Sequence, residues 1–126
     1  MLEIGIKGSG EAVVTEALIA RSMGSGELPV YATPAMLALV EETAWRSVAP
    51  ELEPGRGTVG TKLDFAHLAA TPVGRKVRCE TTLTEIDRRR LVFSAEVYDE
   101  AGKIGEGTHE RFIVDNERFL AKANAR

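Results

Sequence analysis

The chain is poor in the residues from which much covalent and metal chemistry is built. Its 126 residues include one cysteine and two histidines. A lone Cys79 closes no internal disulfide, which fits a reducing, cytoplasmic compartment. It sits in an alternating strand pattern and reads as a packing residue. Two histidines and one cysteine in separate segments give no metal-ligand spacing, so neither a metal nor another cofactor is expected. No Gly-x-Ser-x-Gly elbow is present, which excludes an α/β-hydrolase. Gly105-Glu106-Gly107 is too short for a dinucleotide fingerprint. An excess of one charge is lacking as well. With 16 Lys and Arg against 19 Asp and Glu the net charge is −3, and no field favours nucleic acid or an anionic membrane. No apolar run approaches a membrane span, and the first ten residues carry no signal-peptide core.

What is present is an ordinary globular composition, 44% hydrophobic and 28% charged, in a length that suits one domain over 1–126. Two short strands are predicted at Leu2 to Lys7 and Ala12 to Ala20, with Gly8-Ser9-Gly10 as the turn between them. Arg21 to Val30 reads as a loop or lid. Thr33 to Ala49 reads as one helix, with Thr33 as N-cap, Pro34 at the first position and Pro50 beyond the end. After the break at Pro50 to Gly57 the apolar period changes from 3.6 to 2. Val59, Thr61, Leu63, Phe65 and His67 then share one face. Three further strands follow, carrying Val77 to Leu83, Leu91 to Val97 and Ile104 to Val114. Asp87 to Arg90 and Asp99 to Gly102 are their polar connections. The arginine run 88–90 suits a solvated turn, or a phosphate contact. Phe119 to Arg126 looks like a frayed helical tail. One long helix with four antiparallel strands after it makes an α+β chain. The curved sheet needed to wrap such a helix is the hot-dog architecture.

Three polar residues stand out against that apolar frame. Glu41 has Leu37 and Ala38 one turn before it and Ala44, Trp45 and Val48 after it, whereas Glu42 pairs outward with Arg46. A carboxylate in such surroundings is a candidate catalytic group, or else it borders the apolar stripe and reaches water. His67 shares parity with Leu63 and Phe65, so it faces the helix. It either pairs with Glu41 or is a core histidine bonded to backbone. Thr33 is first of all a cap. The alternative places its hydroxyl at the positive end of the helix, as a nucleophile or an oxyanion donor. Asp64 has the opposite parity to His67.

At these residues the chain resembles the hot-dog-fold acyl-CoA thioesterases, in particular the fluoroacetyl-CoA thioesterase-like family. The resemblance runs from Tyr31 to Phe112. It is carried by Ala32-Thr33 before a helix holding Glu41, by Ala49-Pro50 with Leu52 to Gly55, and by Gly57 to Thr61. It continues through His67 with Ala69 to Gly74, and ends on Gly107 to Arg111. It implies a catalytic set of Thr33, Glu41 and His67, with Gly60 close to the thioester and Arg111 and Tyr31 as further substrate-binding residues. It also implies an acyl-CoA substrate and an active site at the interface of a homodimer or higher oligomer. The excess apolarity of the helix agrees with a second subunit. The sequence departs before the helix, where fluoroacetyl-CoA-selective relatives are aromatic-rich and Arg21 to Val30 has no aromatic residue. The expected activity is hydrolysis of a short or modest acyl-CoA. A hot-dog hydratase or dehydratase and a non-catalytic acyl-CoA-binding module are the alternatives, and release of free coenzyme A separates them.

Overall fold

Pro34 and Pro50 bracket the longest helix of the computed structural model, which describes residues 1–126. Strand β1 (Lys7–Val13) and the short helix α1 (Ala20–Met23) lead to the long helix α2 (Thr33–Val48). Strands β2 (Arg56–His67), β3 (Lys76–Asp87), β4 (Arg90–Asp99) and β5 (Gly102–Asp115) follow, and helix α3 (Asn116–Asn124) closes the chain. The strands form one antiparallel sheet in the order β1-β3-β4-β5-β2, so β1 and β2 are its edges. This is the expected hot-dog arrangement of a long helix lying on an antiparallel sheet.

Helix α2 buries one face. Ala35, Met36, Leu39, Val40, Thr43, Ala44 and Val48 recur at helical spacing and point into the sheet. Its first half packs into a core cluster with Val77, Cys79, Val97 and Ile104. Its second half joins Leu83, Leu91, Phe93 and Ile113. Between these clusters lie buried polar side chains, Thr43, Thr81, His109 and Arg111. Burial on nearly every side is not met within one chain: Ala38, Trp45 and Ala49 are exposed, Trp45 by 42%.

The N-terminal expectation is corrected. Gly8-Ser9-Gly10 is no turn, because a single strand runs straight through it. The glycines are there for clearance under α2. A Cβ at Gly8 would stand 2.9 Å from the Thr43 carbonyl oxygen, and one at Gly10 would stand 2.5 Å from Thr43 Oγ1. Residues 12–20 likewise form no second strand, since a 3-10 turn occupies Glu16–Leu18. The tail helix starts three residues before the predicted Phe119, where Asp115 accepts a hydrogen bond from the Arg118 backbone N–H.

Strand β2 corrects a parity. Its register with β5 slips between Gly60 and Lys62, leaving Thr61 as an extra residue. A bulge reverses which side chains face inward. Thr58 and Gly60 therefore share the helix side with Leu63, Phe65 and His67, while Val59 and Thr61 point away. A second irregularity leaves Ile104 extra on β5, opposite the end of β2, where His67 pairs with Gly105.

Candidate active site

Thr33 is the first residue of α2, and Ala32 occupies the cap position with no side-chain capping bond. The expected capping role is thus not taken. The Thr33 hydroxyl lies 2.8 Å from His67 Nδ1 instead. Two features hold it there. The approach segment is pinned on both sides, Tyr31 N–H donating to the Thr71 carbonyl and Ala32 N–H to the Leu18 carbonyl. The helix also sits low on the sheet, because a Cβ at Gly105 would come within 2.7 Å of Met36 Sδ.

His67 ends β2 and is half-buried. Burial pushes its pKa below the ordinary 6.5, and the Ala69 backbone works in the other direction. The ring is therefore neutral near pH 7, with a nitrogen able to take a proton from the Thr33 hydroxyl. The other ring nitrogen, Nε2, is buried without a hydrogen-bond partner. A buried polar atom of that kind is costly, and such atoms recur at catalytic sites.

Glu41 is elsewhere. Eight residues along an α-helix is about 12 Å, and within one chain the expected Glu41–His67 pair does not form. Arg111 Nη1 donates to Glu41 Oε2 at 3.0 Å. The guanidinium is 5% exposed. It also donates from Nε to Thr58 Oγ1 at 2.8 Å and from Nη2 to the Thr58 carbonyl at 3.0 Å. Nη1 further reaches His109 Nε2 at 3.1 Å. Since Arg can only donate, Nε2 accepts, and His109 Nδ1 donates to the Lys62 carbonyl at 2.8 Å. His109 is therefore a neutral imidazole of defined tautomer. Burial lowers its pKa most; the Lys62 backbone opposes that, Arg111 lowers it further, and Glu41 and Glu110 oppose by less. The Thr61 bulge puts Lys62 in position for that bond.

Gly60 lies directly beneath the Glu41 carboxylate. A Cβ there would collide with Glu41 Oε2 and stand 3.2 Å from Arg111 Nη1, so a side chain would break the Glu41–Arg111 contact. Arg111 itself spends its donors inside the protein rather than toward a ligand. Tyr31 is 2% exposed. Its hydroxyl donates to the Ala35 carbonyl at 3.4 Å. Burial first, then Cys79, pushes that phenol up to about 12. It packs within the core and presents no face to a substrate. The Cys79 thiol is pushed up to about 11, chiefly by burial; that is the state of a packing residue, not of a nucleophile.

His109 is the residue the sequence reading passed over. The signal was there: His109 and Arg111 are two apart in a strand, so both had to face the helix that carries Glu41.

Known proteins share this fold. The family model for the fluoroacetyl-CoA-specific thioesterase matches residues 14–117. The fluoroacetyl-CoA thioesterase of Streptantibioticus cattleyicolor is 42% identical over 93 residues, 74% of this chain and 67% of that protein. A solved structure of the fluoroacetyl-CoA thioesterase FlK superposes with a TM-score of 0.94 at 34% identity, covering 100% of this chain and 98% of that one. A Thermus thermophilus hypothetical protein of the thioesterase superfamily gives 0.91 at 28% identity, over 99% and 93% of the two chains. With its central helix, its Thr33–His67 contact and a family match over most of its length, the chain belongs to the fluoroacetyl-CoA-specific thioesterase family.

Proposed function

We propose that this chain hydrolyses short acyl-CoA thioesters, with Thr33 as nucleophile, His67 as its base and Glu41 of a second copy as the partner of His67. The 2.8 Å contact between Thr33 Oγ1 and His67 Nδ1 carries the reading. A hydroxyl within hydrogen-bond reach of a neutral imidazole is an activated nucleophile. Thr33 Oγ1 attacks the thioester carbonyl as its proton passes to His67. The carbon–sulfur bond breaks, and the coenzyme A thiolate leaves and takes up that proton. Water, deprotonated by His67, then attacks the acyl ester on Thr33, giving the free acid and restoring the hydroxyl. The first turn of α2 offers backbone N–H groups and the positive end of the helix to the oxyanion.

The second copy is inferred from what one chain leaves undone. Glu41 is about two turns along the helix from Thr33, and the Ala38, Trp45, Ala49 flank of the same helix is uncovered. An isologous dimer through that flank would cover the apolar surface and bring a carboxylate to each histidine. Fluoroacetyl selectivity is not part of the proposal, because Arg21 to Val30 contributes no aromatic ring. The cytoplasmic expectation agrees with a lone buried Cys79.

Thiol release from acetyl-CoA, fluoroacetyl-CoA and butyryl-CoA tests the activity, with mass spectrometry of the quenched enzyme testing the covalent step. The expected result is turnover by the wild type and an acyl group on the peptide carrying Thr33. Bound acyl-CoA without thiol release would identify a binding module instead.

A further inference from the structure

Four cationic side chains gather at one corner of a chain whose net charge is negative. Arg89, Arg118, Lys122 and Arg126 line a cavity of about 980 Å³ together with Phe112 and Phe119. None of the four is in an ion pair. Arg118 and Lys122 are four residues apart on one face of α3, and Arg126 follows just beyond the helix end. Arg89 reaches the cavity from the β3–β4 turn. The one acidic residue of the lining, Asp115, has its carboxylate turned to the Arg118 backbone N–H as a helix cap. Both phenylalanines are 41% exposed. Helix α3 buries none of its own side chains, so neither its amphipathicity nor its charge is explained by the fold.

We infer that this cavity holds the 3′-phosphoadenosine diphosphate end of the acyl-CoA substrate, with the cations on its phosphates and the two phenylalanines against the adenine. The inference rests on the acyl-CoA reading given above. The chemistry matches group by group. Coenzyme A carries a pyrophosphate, a 3′-phosphate and an aromatic base at the end remote from the thioester, which is the combination that unpaired cations and open aromatic faces take up. The cavity lies on the outer face of the sheet, beside the end of β2 remote from His67 of the same chain. Phe112 follows Arg111 in β5, and neighbouring residues of a strand face opposite sides. The cavity therefore lies behind the Arg111–Glu41 contact, and Phe112 pairs with Val59 of the edge strand β2.

The test combines a binding measurement with a substrate comparison. Calorimetric titration of the wild type with 3′,5′-adenosine diphosphate should show binding, and the Arg118→Glu/Lys122→Glu variant should lose it by about tenfold or more. Steady-state kinetics then compare acetyl-CoA with acetyl-pantetheine, which lacks the nucleotide. The preference for acetyl-CoA, as a ratio of kcat/KM values, should fall about tenfold in the variant, through KM. Arg89→Glu, on a different element, should lower the same ratio. No binding of the nucleotide by the wild type, or an unaltered preference in both variants, would overturn the inference. If neither thioester is hydrolysed, the thioesterase reading fails, and the titration still decides whether the cavity takes the nucleotide.

Discussion

The two ends of the groove under α2 are built on opposite principles. At the Glu41 end the charged and imidazole groups are all partnered: Arg111 donates to Glu41, Thr58 and His109, and His109 donates to the Lys62 carbonyl. At the Thr33 end a hydroxyl and a neutral imidazole share one contact, and Nε2 of the ring is buried without a hydrogen-bond partner. The first arrangement holds a charge in a fixed place. The second has a proton to move and an unmet hydrogen bond. Saturated networks rigidify, while unsaturated buried groups store the capacity for an interaction made later. In the proposed mechanism the Thr33 end does the chemistry and the Arg111 end holds Glu41 in place.

Substitutions at the two ends should therefore fail differently. His67→Ala removes the base and should lower kcat by about 10²–10⁴-fold with the fold retained, as read by thiol release and circular dichroism. Near wild-type turnover would reduce His67 to a packing residue. Arg111→Met should act first on stability. It strips partners from Glu41, Thr58 and His109 together, which costs about 2–4 kcal/mol in urea unfolding. Part of that is discounted because the Glu41 side chain is 42% exposed. A variant of unaltered stability would show that the network at that end contributes nothing.

Acid should weaken both ends, by different routes. His67 and His109 both have pKa values below the ordinary 6.5 in the folded protein. The unfolded chain then binds more protons than the folded one as pH falls below about 6.5, so stability is lost in that direction and regained on raising the pH. Activity should follow the protonation of His67 and rise with pH to a plateau. A midpoint below 6.5 would mean that burial alone controls the ring, and one above 6.5 is what the partner's Glu41 carboxylate would produce. The smallest effect is expected at Glu42. It faces away from both ends and pairs with Arg46 at 3.2 Å on the surface. Glu42→Gln should cost about 0.3–0.5 kcal/mol and leave turnover alone.

Much of this was legible before any coordinates. Proline punctuation and a change of period marked the helix and the strands after it, because these follow from local chemistry and a repeating apolar pattern. The alternation of Val77 to Leu83 and of Leu91 to Val97 fell on the buried side as read. What the sequence did not disclose were clearances and slips. Gly8 and Gly10 look like a turn until a helix is laid across them. A bulge at Thr61 has no signature in alternation, so Val59 and Thr61 were placed on the wrong face. Thr33 reads as a cap because the preference is strong; its partner His67 lies 34 residues away, beyond the reach of any local rule. The Glu41–Arg111 pair spans 70 residues, and only the strand parity of His109 and Arg111 hinted at it.

The central claim is that the reacting end of one chain is finished by the charged end of another. Co-expression of Thr33→Ala and Glu41→Gln, each tagged differently and each nearly inactive alone, puts it to the test. In a mixed dimer one site would pair an intact Thr33–His67 contact with an intact Glu41 from the partner. Random assortment then restores about a quarter of wild-type turnover. Recovery at that level in the unfractionated mixture, and at about half of wild-type turnover in the doubly purified mixed dimer, is the result predicted. A mixture as inactive as either parent, with mixed dimers present, would contradict the claim and confine the site to a single chain.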